Sequence, residues 1–146
     1  MQKEILKAIA NFQQEVPVIH KGTSGYGYTY ADLPAIFETI NPLLKKHGLG
    51  FYQAVTLISQ DERFSNAQVI KTVVFHTESG ETIESYTAIP QDVELAKMNK
   101  FQVLGSAITY IRRYALSSLL GLVTDKDTDA SGETIKTNET KERDFK

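Results

Sequence analysis

Residues 67–89 read Ala-Gln-Val-Ile-Lys-Thr-Val-Val-Phe-His-Thr-Glu-Ser-Gly-Glu-Thr-Ile-Glu-Ser-Tyr-Thr-Ala-Ile. Two strand-like runs stand here, 67–77 with Val69, Val73 and Phe75, and 81–89 with Ile83 and Ile89. Between them Glu78-Ser79-Gly80-Glu81 is a short polar turn signal containing glycine, so the pattern predicts a tight β-hairpin. Upstream, residues 50–58 alternate around Phe51, Val55 and Leu57, and a longer polar loop at 60–66 joins them to the hairpin. The three runs predict an antiparallel meander that Pro90 ends.

Downstream, residues 101–121 carry helical periodicity. At 100° per residue, Leu104, Ile108, Ile111, Ala115 and Leu119 fall within about 80° of one another. Ser106, Thr109, Tyr110, Arg113 and Ser117 make the opposite face, Arg112 lies at the flank, and Gly121 is the expected stop. Toward the N-terminus, Ile5, Ile9 and Phe12, with Leu6 beside them, predict an amphipathic helix over 2–15 that Pro17 ends. A second helix is expected from an Asp32 cap to His47, with stripe Ile36, Phe37, Ile40, Leu43 and Leu44. Pro42 is expected to bend it or split it in two, and Gly48 to follow it. Between the two helices, residues 20–30 form a glycine–tyrosine loop in which Tyr26, Tyr28 and Tyr30 alternate. The predicted class is α+β: a meander of three strands against a long C-terminal helix, with N-terminal helices. Residues 1–124 read as one domain, and 125–146 as a polar, disordered tail.

A chain of 146 residues is long enough to bury roughly two-thirds of its unfolded surface. No apolar run approaches the ~18 residues of a membrane span, and Met1-Gln2-Lys3-Glu4 opens no secretory signal. The absence of cysteine excludes a disulfide scaffold, a thiolate zinc site and a cysteine nucleophile. A cytoplasmic protein is expected, with no membrane partner. The formal net charge is −2, but its distribution says more than its sum. Residues 1–124 hold eleven basic and eleven acidic side chains, so the deficit lies in the tail. Residues 78–94 contain five acids and no base, whereas 97–113 contain Lys97, Lys100, Arg112 and Arg113 and no acid. A neutral body with such a segment is able to present a basic face.

Most catalytic chemistry is missing. The glycines at 22, 25 and 27 do not form a phosphate-binding loop, because no Lys-Ser/Thr pair follows at the required spacing. His20, His47 and His76 are isolated, and no G-x-S-x-G elbow exists. A calcium loop started at Asp125 would need glycine where Ala130 stands and glutamate where Lys136 stands, so that mode is rejected. Asp125, Asp127 and Asp129 keep three readings: a solvated linker, a magnesium contact, or acids competing with DNA for the basic face. Tyr26 and Tyr28, beside Lys21, either stack on single-stranded bases or pack a short strand against the core. Lys97, Lys100, Ser106, Thr109, Tyr110, Arg112 and Arg113 either line a phosphate groove or form the solvated face of an amphipathic helix. No catalytic residue and no metal ligand set emerges.

The run Gly105-Ser106-Ala107-Ile108-Thr109-Tyr110-Ile111-Arg112-Arg113-Tyr114-Ala115-Leu116, then Leu119-Leu120-Gly121 and Asp125/Asp127/Asp129, resembles the signature of the ERF (essential recombination function) family of phage single-strand annealing proteins. Tyr26-x-Tyr28-x-x-Ala31-Asp32-Leu33, Pro42-Leu43-Leu44-Lys45-Lys46-His47-Gly48-Leu49 and His76-Thr77-Glu78-Ser79-Gly80-Glu81 are similar to its first half and its strand–turn–strand. The resemblance covers residues 1–129. It implies a core similar to eukaryotic annealing proteins, and ATP-independent binding of single-stranded DNA with annealing of complementary strands. It also implies no cofactor beyond a magnesium dependence left open, homo-oligomeric rings or filaments, and a phage exonuclease as neighbour in the host cytoplasm. The family's basic helix falls on Arg112 and Arg113 with Thr109 and Tyr110, and its aromatic loop on Tyr26 and Tyr28. Two rivals stay open: an oligomeric scaffold that binds no DNA, and a metal-dependent nuclease using Asp125, Asp127 and Asp129. Glu94 and Lys97 have the wrong spacing for an E-x-K nuclease motif.

Overall fold

A computed structural model describes residues 1–20, 23–24, 29–30, 32–58, 67–90, 94 and 96–124. Its elements are α1 (Lys3–Glu15), β1 (Thr23–Ser24), β2 (Thr29–Tyr30), α2 (Leu33–Lys46), β3 (Leu49–Ile58), β4 (Ala67–His76), β5 (Thr82–Ala88) and α3 (Lys100–Leu120). The class is α+β, as the periodicities predict. Strands β3, β4 and β5 form an antiparallel meander with β4 in the centre. The short strands β1 and β2 pair with each other where a loop was expected.

Register decides what faces the helices. Phe51, Val74 and Ile83 are cross-strand neighbours, as are Gln53, Thr72 and Ser85. Because side chains alternate along a strand, these two rows share one face. Phe51, Val74 and Ile83 pack there with Ile5, Ile9 and Phe12 of α1, Ile36, Ile40 and Leu44 of α2, and Leu116 and Leu120 of α3. Gly50 lies opposite Phe75, whose ring occupies the place of a β-carbon: the two would stand 2.4 Å apart. A side chain at position 50 would force that ring to shift.

Helix ends follow local chemistry. The Asp32 side chain accepts from the Ala35 N–H at 3.0 Å and starts α2. Pro42 does not split α2. Pro42 and Glu38 are both exposed, so the Glu38 carbonyl that loses its partner faces water, while buried Ile36, Ile40 and Leu44 hold the turns together. Asn99 and Gln102 form a reciprocal capping box at α3, each bond 2.9 Å, and Gly121 closes that helix with φ +68°. The first turn of α1 is capped from a distance. Glu4 N–H donates to both carboxylate oxygens of Glu81 at 3.2 and 3.3 Å, and Gln2 Nε2 donates to the Thr82 carbonyl. At the other end of α1, the Glu15 carboxylate meets Lys46 Nζ at 2.8 Å and His47 Nε2 at 3.1 Å. Those hydrogen bonds, Lys46 first, hold the Glu15 carboxyl below its ordinary pKa.

The inward face of α3 differs from the predicted stripe. Arg113, Ala115, Leu116 and Leu120 are buried, whereas Leu104 is exposed and Ile108, Ile111 and Leu119 are half-buried. Leu116, Leu120 and Arg113 lie on the side assigned to the polar face. Only the C-terminal half of α3 enters the core, and there the wider stripe through Leu116 and Leu120 turns inward. Gln13 Nε2 fastens that end by donating to the Leu120 carbonyl at 3.2 Å.

Candidate nucleic-acid interface

The two adjacent arginines point to different surroundings. Arg112 is half-buried between α3, α2 and the sheet. Its Nε donates to Gln53 Oε1 at 3.4 Å, and its guanidinium carbon lies 5.7 Å from the centre of the Phe37 ring. Gln53 Nε2 in turn donates to Thr72 Oγ1 at 3.1 Å and to the Arg112 carbonyl at 3.0 Å. Thr72 is fully buried, so this amide satisfies a polar atom inside the protein as well as tethering the helix.

Arg113 is buried, with 7% of its surface exposed. The expectation that it stands on a solvated face is therefore corrected. A long apolar stem lets arginine enter a core wherever its head finds partners. Here the guanidinium carbon lies 5.3 Å from the Tyr110 ring centre and 5.2 Å from that of Tyr114. The two rings are 4.5 Å apart and tilted by 52°, and they are 47% and 48% exposed.

The remaining residues of the predicted set spread along α3 and the turn before it. Ser106 and Thr109 are exposed, and the Thr109 hydroxyl donates to the Gly105 carbonyl at 3.1 Å. That proton is spent within the helix, so the Thr109 oxygen is left as an acceptor. Lys100, the first residue of α3, is exposed, as is Lys97, which takes the left-handed conformation with φ 65°. At 1.5 Å per residue, Lys100 stands about 18 Å along the helix from Arg112, too far to share one phosphate with it. Lys21, Tyr26 and Tyr28 lie outside the described residues, as do Asp125, Asp127 and Asp129. The structure thus unites Tyr110 with Arg113, sets Arg112 on the opposite flank, and leaves the lysines at the far end.

Three participants escaped the sequence reading: Gln53, Phe37 and Tyr114. The last was signalled, because Tyr110 and Tyr114 are four apart and bracket Arg113. A further cation–aromatic group lies on the other face of the sheet, where Lys71 Nζ is 5.8 Å from the Tyr86 ring centre and 3.4 Å from Glu84 Oε2. Glu84, and then Tyr86, push the Lys71 pKa up. With Glu84 opposing it, that lysine is a poorer match for a polyanion than α3, which contains three cations and no acid.

Among the described residues no group of three or more histidine, aspartate or glutamate side chains is placed to hold a metal ion. No helix among them is long and apolar enough to cross a membrane.

The profile of the ERF superfamily matches residues 5–145. The chain is 30% identical over 131 residues to the essential recombination function protein of Salmonella phage P22, covering 88% of this chain and 60% of that protein. It therefore spans about three-fifths of the length of this curated relative. No solved structure matches.

Proposed function

The chain belongs to the ERF superfamily, and from that premise we propose that it serves phage recombination as an ATP-independent single-strand DNA annealing protein. The observation that carries the reading is α3: twenty-one residues with three cations and no acid, exposing Ser106, Thr109, Tyr110 and Tyr114. Lys100 at the first turn opposes the helix dipole, which favours anions at that end. A phosphate backbone laid there relieves this conflict.

The mechanism is physical. Lysines and the accessible edge of Arg112 neutralise phosphates and release counterions. Copies of the chain assemble so that many weak patches act on one strand, which multiplies a modest affinity. The bases stay open to pairing. No nucleotide or metal cofactor enters the proposed reaction, and the product goes to a phage recombination pathway beside an exonuclease in the host cytoplasm.

The test is annealing of two complementary labelled oligonucleotides without ATP, over a salt series, with assembly size measured on the same sample. Accelerated annealing by a large assembly, fading as salt rises, supports the reading. An assembled, folded protein that binds no oligonucleotide at low salt overturns it in favour of an oligomeric scaffold. Exposed Phe101 and Leu104, on the part of α3 that projects past the core, are suited to that alternative as a subunit contact.

A further inference from the structure

From the cluster on α3 we infer that Tyr110 and Tyr114 form a base-stacking platform for single-stranded DNA, with Arg113 the residue that positions them and not a phosphate ligand. The inference rests on the proposed DNA-binding function and adds to it the kind of contact made and a residue, Tyr114, that the basic-helix reading omits.

Three observations carry it. First, Arg113 is buried, so little of its guanidinium surface is left for a backbone phosphate. Its head lies against two aromatic rings at 5.2 and 5.3 Å, a placement in which a desolvated cation is held by ring faces. Second, the rings it holds are half exposed on an outward stripe that continues to Ser118, one and two helical turns apart. Two large aromatic side chains fixed from behind lose little further freedom on binding. Third, the helix that presents them carries no acid. Its charge suits a polyanion, and the aromatic faces suit a base.

Stacking fits annealing better than hydrogen bonding to bases would. A base stacked on a ring uses its face and leaves its pairing edge open to the complementary strand. Every base has such a face, so the contact is indifferent to sequence. Stacking also displaces no phosphate counterion, which separates it experimentally from the lysines.

The experiment uses the full chain and a single-stranded oligonucleotide carrying 5-iodouracil. Photo-cross-linking followed by peptide mass spectrometry is expected to place adducts on Tyr110 or Tyr114. Tyr114→Ala is expected to weaken binding between about 5- and 150-fold with the salt slope unchanged. Tyr114→Phe, which keeps the ring, recovers most of that loss. Arg113→Lys weakens binding and also leaves the slope unchanged, whereas Lys100→Ala lowers the slope by about 0.7. Adducts confined to other regions overturn the inference. So does a Tyr114→Ala protein that binds as the parent does, or a Tyr114→Ala or Arg113→Lys protein with a reduced slope. Disassembly of Tyr114→Ala overturns it too, since the rings would then be a subunit contact. Absence of DNA binding by the parent chain defeats the functional reading itself, a result distinct from all of these.

Discussion

The two halves of α3 share one continuous helix but live in different surroundings. In the C-terminal half, Leu116 and Leu120 are completely buried, and Arg112 and Arg113 are held by Gln53, Phe37, Tyr110 and Tyr114. In the N-terminal half, Phe101 is 87% exposed and Leu104, Gly105 and Ser106 face water. Anchor and overhang have similar apolar content, so hydrophobicity alone does not decide which half is buried. What decides it is where the helix meets the sheet and α1. An anchored half fixes the direction of the helix, and a projecting half is left free to meet something else.

Removing the anchor should have the largest effect. Leu116→Ala is expected to destabilise the protein by about 2–5 kcal/mol in urea unfolding, through lost burial and the cavity left behind. Phe101→Ala in the overhang, where the ring is 87% exposed, should cost under about 0.5 kcal/mol, as surface changes do. Equal losses would mean that the overhang is covered in solution and that the two halves are alike. Gln53→Ala comes next, at about 1–3 kcal/mol, because it strips Thr72 and the Arg112 carbonyl of a buried donor. A loss below that range would show that water replaces the amide. Asn99→Ala removes the cap of the overhang and is expected to cost about 1 kcal/mol. Hydrogen exchange should quicken over 101–105 while 113–120 keep their protection. Quickening along the whole helix would erase the distinction between halves.

The smallest effect is expected where no part of α3 takes part. The Glu15 carboxyl is lowered by Lys46 and then His47, so the folded protein favours its ionised form. A depressed folded pKa contributes stability above the unfolded value, lost as pH falls through the folded value. The urea midpoint of Glu15→Gln should therefore lie slightly below the parent's at pH 7 and converge with it near pH 3. A gap that persists at pH 3 would assign the effect to packing.

Much of this architecture was legible. The turn at 78–81, the strand alternation and the caps at Asp32 and Gly121 are local signals, and local chemistry settles them. The orientation of α3 was not legible, because two apolar stripes compete on it. Leu104, Ile108 and Ile111 define one, and Leu116 and Leu120 define another about 120–160° away. Periodicity shows that stripes exist; only the partner element selects between them. Pro42 misled because propensity weighs the lost hydrogen bond but not the packing of Ile36, Ile40 and Leu44 on either side. The tethering of Arg112 by Gln53 spans 59 positions in the chain, so no short pattern contains it. Of the predicted site, Lys97, Lys100, Ser106, Thr109 and Tyr110 lie exposed, whereas the burial of Arg113 follows from packing that no local pattern contains.

The carboxylate that caps α1 has a consequence for how the chain is made. Glu81 reaches the amide of Glu4 across 77 positions. During synthesis α1 leaves the ribosome well before the hairpin that completes its first turn, and a thirteen-residue helix is marginal alone in water. α1 thus emerges before the segment that secures it, and its first turn waits unfinished until the third strand of the meander arrives.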